Sequence, residues 1–196
     1  MTARASAAPR QAYHHGDLRG ALLDAGLRLL RSRDVDDLGL RELAREVGVS
    51  AAAIYRHFPD KGALRAALAV EGLERLGKAQ RQATRSAGGG KAGFLASGLA
   101  YVRFAVDNPA LFRLVFSAAQ QCDPLDAPAD SVSAALRNLH QDIEALLPAG
   151  APAAERKAAA LHAWALVHGI AQLVLDRQIA ADWRLIERVL SRVPLG

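Results

Sequence analysis

Residues 40–61 read LRELAREVGVSAAAIYRHFPDK, and their spacing decides the fold. Leu40, Leu43, Ala44 and Val47 recur at helical intervals and form one apolar stripe. Gly48 follows, and glycine suits a sharp turn because it tolerates positive φ. Val49 plugs the angle, and Ser50 is placed to cap a second helix by accepting a backbone N–H bond. Ile54 and Phe58 face a core, which leaves Ala51, Ala52, Ala53, Tyr55 and His57 pointing elsewhere. Pro59 stops the second helix, since the residue before a proline avoids the helical region. Small Ala44, turning Gly48 and aliphatic Ile54 give helix-turn-helix spacing over 39–58, the arrangement that sets a second helix in a DNA groove. Taken alone, the stretch also fits a helical hairpin buried in a core.

The flanks narrow the choice. The tail YRHFPDK (55–61), with Tyr55, Phe58 and Lys61, and the lead-in YHHGDLRGALLDAGLRLL (13–30) resemble the DNA-binding domain of TetR-family transcriptional regulators. Specific motifs cover about a third of the chain. The resemblance implies an all-α protein of about nine helices. A three-helix helix-turn-helix domain is followed by a larger helical domain for ligand binding and dimerisation. It implies that Tyr55 and His57 reach backbone phosphates, with Lys61 at the start of the next helix, where the helix dipole favours an anion. Arg41 is a fourth candidate, and Tyr13, His14 and His15 can lie along the backbone. The helix capped by Ser50 carries small groove-facing side chains. The methyls of Ala51, Ala52 and Ala53 can touch thymine methyls but make no bidentate bonds, which leaves base discrimination shallow or supplied by Arg56, Arg41 or the arm. Two such domains on a two-fold axis would read a palindromic operator with half-sites about 34–36 Å apart.

Composition bounds the rest. The 196 residues are 51% hydrophobic, with mean hydropathy +0.05, which fits a folded chain. Net charge is +5, with 21 arginines against 4 lysines. The first 65 residues hold 11 basic and 8 acidic groups, a modest excess that suits an anionic partner and equally suits ordinary solubility. Cys122 is the only cysteine, so an intrachain disulfide is excluded and a reducing compartment is expected. The start, MTARASAAPRQ, has no apolar run of a secretory signal. Ala158–Leu175 is free of formal charge, yet its His162, His168, Gly169 and alanines make a weak membrane span. No phosphate-binding glycine loop, zinc motif or nucleophile elbow is present, and the His14–His15 pair points two ways, so no enzyme, cofactor or metal is expected.

Along the chain, residues 1–12 read as a flexible arm, 13–76 as the DNA-binding domain and 77–196 as the second domain. A first helix is expected from Gly16 or Asp17 to Arg33–Asp34, with Asp34 strained where the family commonly has a left-handed glycine. Gly39 stands at the cap before the second helix, where Ser or Thr is usual. Asp60 caps a fourth helix running to about Arg85. Further helices are expected over 91–107, 109–117, 130–147, 153–177 and 182–192, with loops over 118–129 and 149–154.

The helix over 153–177 is apolar on more than one face and must be buried on more than one side. Trp164, Val167, His168, Ala171 and Leu175 are the expected dimer contacts. Trp164, His168 and Gly169 resemble the Trp-His-Gly signature of one C-terminal domain type on TetR-like regulators, in which the last two helices dimerise. The same family resemblance implies a pocket for an unidentified small-molecule effector. Tyr101, Phe104, Phe112, Phe116, His140 and Trp164 are its candidate lining, each of which also suits plain core packing. A cytoplasmic, nucleoid-associated homodimeric repressor is the expectation; a helical interaction or ligand-binding protein without DNA affinity is the alternative.

Overall fold

The computed structural model describes residues 17–117, 124–128 and 131–192. The arm, Tyr13, His14, His15, Cys122 and most of the 118–129 loop lie outside the described residues. Among the described residues there are nine α-helices, one 3₁₀ turn and no strand. They are α1 (Leu18–Leu29), a 3₁₀ turn (Val35–Asp37), α2 (Leu40–Val47), α3 (Ala51–His57) and α4 (Lys61–Ser86). Then follow α5 (Gly90–Asp107), α6 (Pro109–Ser117), α7 (Ala134–Leu146), α8 (Ala153–Leu175) and α9 (Trp183–Leu190).

Local chemistry sets the boundaries of the reading head. Gly48 ends α2 with φ 78°, and its N–H and that of Val49 close back on Arg45 and Ala44. Ser50 Oγ accepts from Ala53 N at 3.2 Å and starts α3; Asp60 Oδ1 accepts from Ala63 N at 2.7 Å and starts α4. Asp17 does the same for α1 through Gly20 N. The first helix ends four residues earlier than expected. Leu30 closes it in a right-handed conformation, and Asp34 is extended at φ −75°, so no left-handed cap exists there to be strained. The intervening residues form the unforeseen 3₁₀ turn, which buries Val35. Helix α7 begins four residues late, where Ser133 supplies its cap by accepting from Leu136 N at 3.3 Å.

Four apolar clusters hold the bundle. Leu22, Leu43, Ile54, Phe58, Leu64 and Leu68 centre the first, under α1–α4. Leu111, Leu114 and Val115 of α6 belong to the same cluster. Phe112, one residue along, belongs instead to a second cluster with Leu76, Tyr101 and Ala171. Helix α6 is thus shared between the reading head and the rest. Helix α4 runs the length of the molecule, about 39 Å at 1.5 Å per residue. At Gly77 it passes so close to α7 that a Cβ would stand 2.6 Å from Ala134 Cβ and 2.7 Å from Ala135 N. Helix α8 is long and apolar enough to cross a membrane by length and composition, but it packs here on α5, α7 and α9.

Candidate nucleic-acid interface and inner cavity

On α3 the pattern of Ile54 and Phe58 inward turns a short polar face outward. Tyr55 is 43% exposed, and Ala51, Ala52, Arg56 and His57 are exposed with it. Ser50 is exposed but its hydroxyl is engaged as the cap. Ala53 corrects the sequence reading. It is only 7% exposed, packed inward beside Ile54, and offers no methyl to a groove. Arg41 is exposed at the start of α2, next to Glu42, which pairs with Arg33 at 2.5 Å.

Lys61 is half-buried and donates its ammonium to the Asp36 carbonyl, while Arg65 pairs with the Asp36 carboxylate. The 3₁₀ turn thus fixes the lysine beside the α3–α4 corner. An ammonium has three donors, so two remain for another acceptor. Arg45, exposed on the outer face of α2, was not singled out from the sequence; its place one turn beyond Arg41 was the available signal.

Inside the bundle lies a cavity of about 110 Å³ between α4, α5, α7 and α8. Tyr101, Phe116 and Trp164 line it, as the sequence reading expected. Three other expected residues do not. Phe112 is fully buried in solid packing, stacked on the His168 ring with centroids 5.5 Å apart. Phe104 fills the junction between the two main clusters. His140 faces a separate, more polar hollow beside Glu144 and Lys157, because two residues of helix separate it by about 200° from Asp142. Sequence reasoning missed Gln80, Ser97 and Asp142, polar groups on the wall of the apolar cavity.

The polar groups around the cavity differ in how they are satisfied. Burial pushes the Tyr101 hydroxyl up and the His168 imidazole down, which favours the neutral form of each; the hydroxyl and His168 Nδ1 share a hydrogen bond of 2.9 Å. Gln80 is 8% exposed, and its buried Oε1 meets no donor. Burial raises the Asp142 carboxyl above the usual carboxylate range, and the Arg81 charge draws it partly back. Arg81 itself bonds to Asn138 and to Gln141, the latter at 2.6 Å. Asn138 in turn donates to the Gly77 carbonyl at 2.7 Å, tying α7 to α4.

Of the expected dimer contacts, all five turn mainly to the interior of the single chain. Ala171 is 0% exposed within the single chain, and His168, Val167, Trp164 and Leu175 all pack inward on α5 and α6. The face of α8 left bare carries Leu161 (51% exposed), Ala165, Gly169 and Leu173 (45% exposed). Leu185 and Val189 of α9 are exposed as well. Among the described residues no group of acidic, histidine and cysteine side chains has the makings of a metal site.

Comparison with known proteins places this geometry. Residues 22–68 match the family model of bacterial regulatory proteins of the tetR family, and residues 94–193 match a tetracyclin repressor-like C-terminal domain. A protein of unknown function from Rhodococcus sp. RHA1 is 32% identical, with TM-score 0.71 over 93% of this chain and 95% of that one. A TetR transcriptional regulator from the same organism is 21% identical, with TM-score 0.55 over 89% and 92%, a likeness of fold. An uncharacterised helix-turn-helix transcriptional regulator of Mycobacterium tuberculosis is 40% identical over 57 residues. That match spans 29% of this chain and 28% of the relative.

Proposed function

This chain belongs to the TetR family of transcriptional regulators, and from that premise we propose that it is a repressor which binds a palindromic operator as a homodimer and is released by a small molecule. The observation that carries the proposal is the outer face of α3. Tyr55, Arg56 and His57 stand exposed on a helix held at a fixed angle by Gly48 and capped by Ser50. Ala51 and Ala52 let that helix approach base edges closely, while Tyr55, His57, Arg41 and Lys61 anchor phosphates. We assign 13–76 to DNA binding and 77–196 to effector binding and pairing. The protein then works in the cytoplasm, at the nucleoid.

Pairing uses the bare face of α8 and α9, since contiguous apolar surface such as Leu161, Leu173 and Leu185 is costly to leave in water. Gly169 supports this reading and the Trp-His-Gly assignment together. A Cβ there would meet nothing within 4 Å, so a facing helix has room to approach, while Trp164 and His168 turn to the interior. Release follows from α4, which begins at the reading head and forms a cavity wall at Leu76 and Gln80. A coupling of about 1–3 kcal/mol suffices.

One observation favours a chain that does not bind DNA: Lys61 is already engaged with Asp36, and α3 offers few base-reading groups. Selection from a random duplex library at two salt concentrations decides between the readings. An enriched palindrome with half-sites about one helical turn apart is the expected result. Binding that only tracks salt, with no enriched sequence, refutes the operator reading.

A further inference from the structure

The cavity's polar groups define the chemistry of what fills it. Its wall is largely hydrocarbon, with Leu76, Leu139 and Trp164 among the lining. Tyr101 and Ser133 also border it, but both are satisfied, the first by His168 and the second by the α7 cap. Ser97 also borders it and makes no side-chain hydrogen bond among the described residues, but its hydroxyl can turn to donate or accept. Two acceptor oxygens lack a protein donor. Gln80 Oε1 has no donor, and an unmet acceptor away from water is costly to leave. The Asp142 carboxylate makes no hydrogen bond or ion pair among the described residues, and Arg81, the cation that acts on it, bonds to the amides of Asn138 and Gln141 instead. One orphaned buried oxygen and one half-buried carboxylate with no protein donor border an apolar hollow, and both suit a ligand that donates.

We propose that the cavity takes a lipophilic amine, its ammonium group donating to the Asp142 carboxylate and to Gln80 Oε1 and its hydrocarbon body lying among Leu76, Leu139 and Trp164. The proposal rests on reading the cavity as the effector site and names the class of effector. Gln80 needs only a turn of its terminal amide to face the ligand, about a soft, two-fold torsion. An ion pair with Asp142 is the strong contact, and it forms only with a cationic donor. An alcohol can still donate to the carboxylate but brings no charge of its own. A carboxylate meets Asp142 as a like charge.

Three probes, each one phenyl ring with a two-carbon arm, test this. Calorimetry with the full-length protein, free of DNA, compares 2-phenylethylamine, 2-phenylethanol and phenylacetate. The amine should bind at least tenfold more tightly than the alcohol, and phenylacetate most weakly. Asp142→Asn should bring the amine to within about twofold of the alcohol. Gln80→Leu should weaken the amine several-fold. Alcohol binding kept in both variants reports that they are folded. Equal or tighter binding of the alcohol or of phenylacetate overturns the proposal. So does an amine preference that survives Asp142→Asn, or failure of all three probes to bind. Because the titration contains no DNA, the predicted amine pattern in a protein that selects no operator supports this site and overturns only the DNA reading.

Discussion

Replacing Gly77 with alanine forces a methyl into the tightest crossing in the bundle. The added Cβ would lie 2.6 Å from Ala134 Cβ, 2.7 Å from Ala135 N and 2.8 Å from the Ala134 carbonyl carbon. Carbon atoms in good contact sit about 3.5–4.0 Å apart, so the overlap is about 1 Å. Two of the three atoms are backbone and no rotamer change relieves them, so α4 and α7 must separate. Overpacking of this kind costs about 1–3 kcal/mol. Separation also stretches the buried Asn138–Gly77 bond, now 2.7 Å, which contributes about 0.5–1.5 kcal/mol. Against this, alanine is the better helix former by about 0.8–1.0 kcal/mol. The net effect is a loss of about 2 kcal/mol.

Gly98→Ala provides the control of opposite sign. Its Cβ would meet Leu190 Cδ1 and Val167 Cγ1 at 3.4 Å, ordinary contact, so the helix preference survives and stability rises by up to about 1 kcal/mol. Equilibrium urea unfolding followed by helical circular dichroism, at one fixed protein concentration, reads both. With a slope of about 2 kcal/mol/M, the Gly77→Ala midpoint falls by about 1 M. A midpoint at or above that of the parent protein would refute the close α4–α7 crossing.

Other outcomes follow from the same geometry. Tyr55→Phe combined with Lys61→Ala should weaken operator binding and flatten the slope of log affinity against log salt by about 1–2; an unchanged slope removes Lys61 from the phosphate contacts, and an unchanged affinity removes Tyr55 as well. Burial lowers the His168 pKa from its ordinary 6.5, so the unfolded chain takes up this proton first as pH falls. Its contribution to stability is therefore whole above 6.5 and is lost as pH drops through the lower folded-state value. Between about pH 7.5 and 5.5 the thermal midpoint should fall further in the parent than in His168→Gln, and equal falls would rule the imidazole out as the cause. Leu173→Glu on the bare α8 face should convert a dimer to a monomer in light scattering, and an unchanged mass would move the pairing surface elsewhere.

What the sequence revealed was mostly local. Gly48, Ser50, Pro59 and Asp60 act on backbone within a few residues of themselves, and the caps and turn they imply are where the chain has them. Expectations carried from relatives fared less well: a left-handed cap at Asp34 presumes a longer α1 than Leu30 allows. The cavity was the least legible part. Tyr101, Phe116 and Trp164 could be guessed as large rings with polar ends, but Gln80 and Asp142 look like ordinary surface residues until α4 and α7 are laid together. On α8 the difficulty was ambiguity. A helix apolar nearly all round has no single hydrophobic phase, so the stripe ending in Ala171 and Leu175 could not be told from the one carrying Leu161 and Leu173.

The shared position of α6 bears on how such a regulator can be taken apart. Leu111, Leu114 and Val115 complete the core beneath α1–α4, although the rest of α4 beyond Leu68 and all of α5 intervene in the chain. A fragment cut after α4 would present Gly72 and its neighbours to water where Leu111 and Val115 now sit, and would be an open-sided half-module. Chimeras that graft this reading head onto another sensor therefore have to carry the Leu111–Val115 seam with them or rebuild it. Modularity here belongs to the graft of three segments, α1–α3, the first half of α4 and one side of α6, and a cut by sequence position alone divides it.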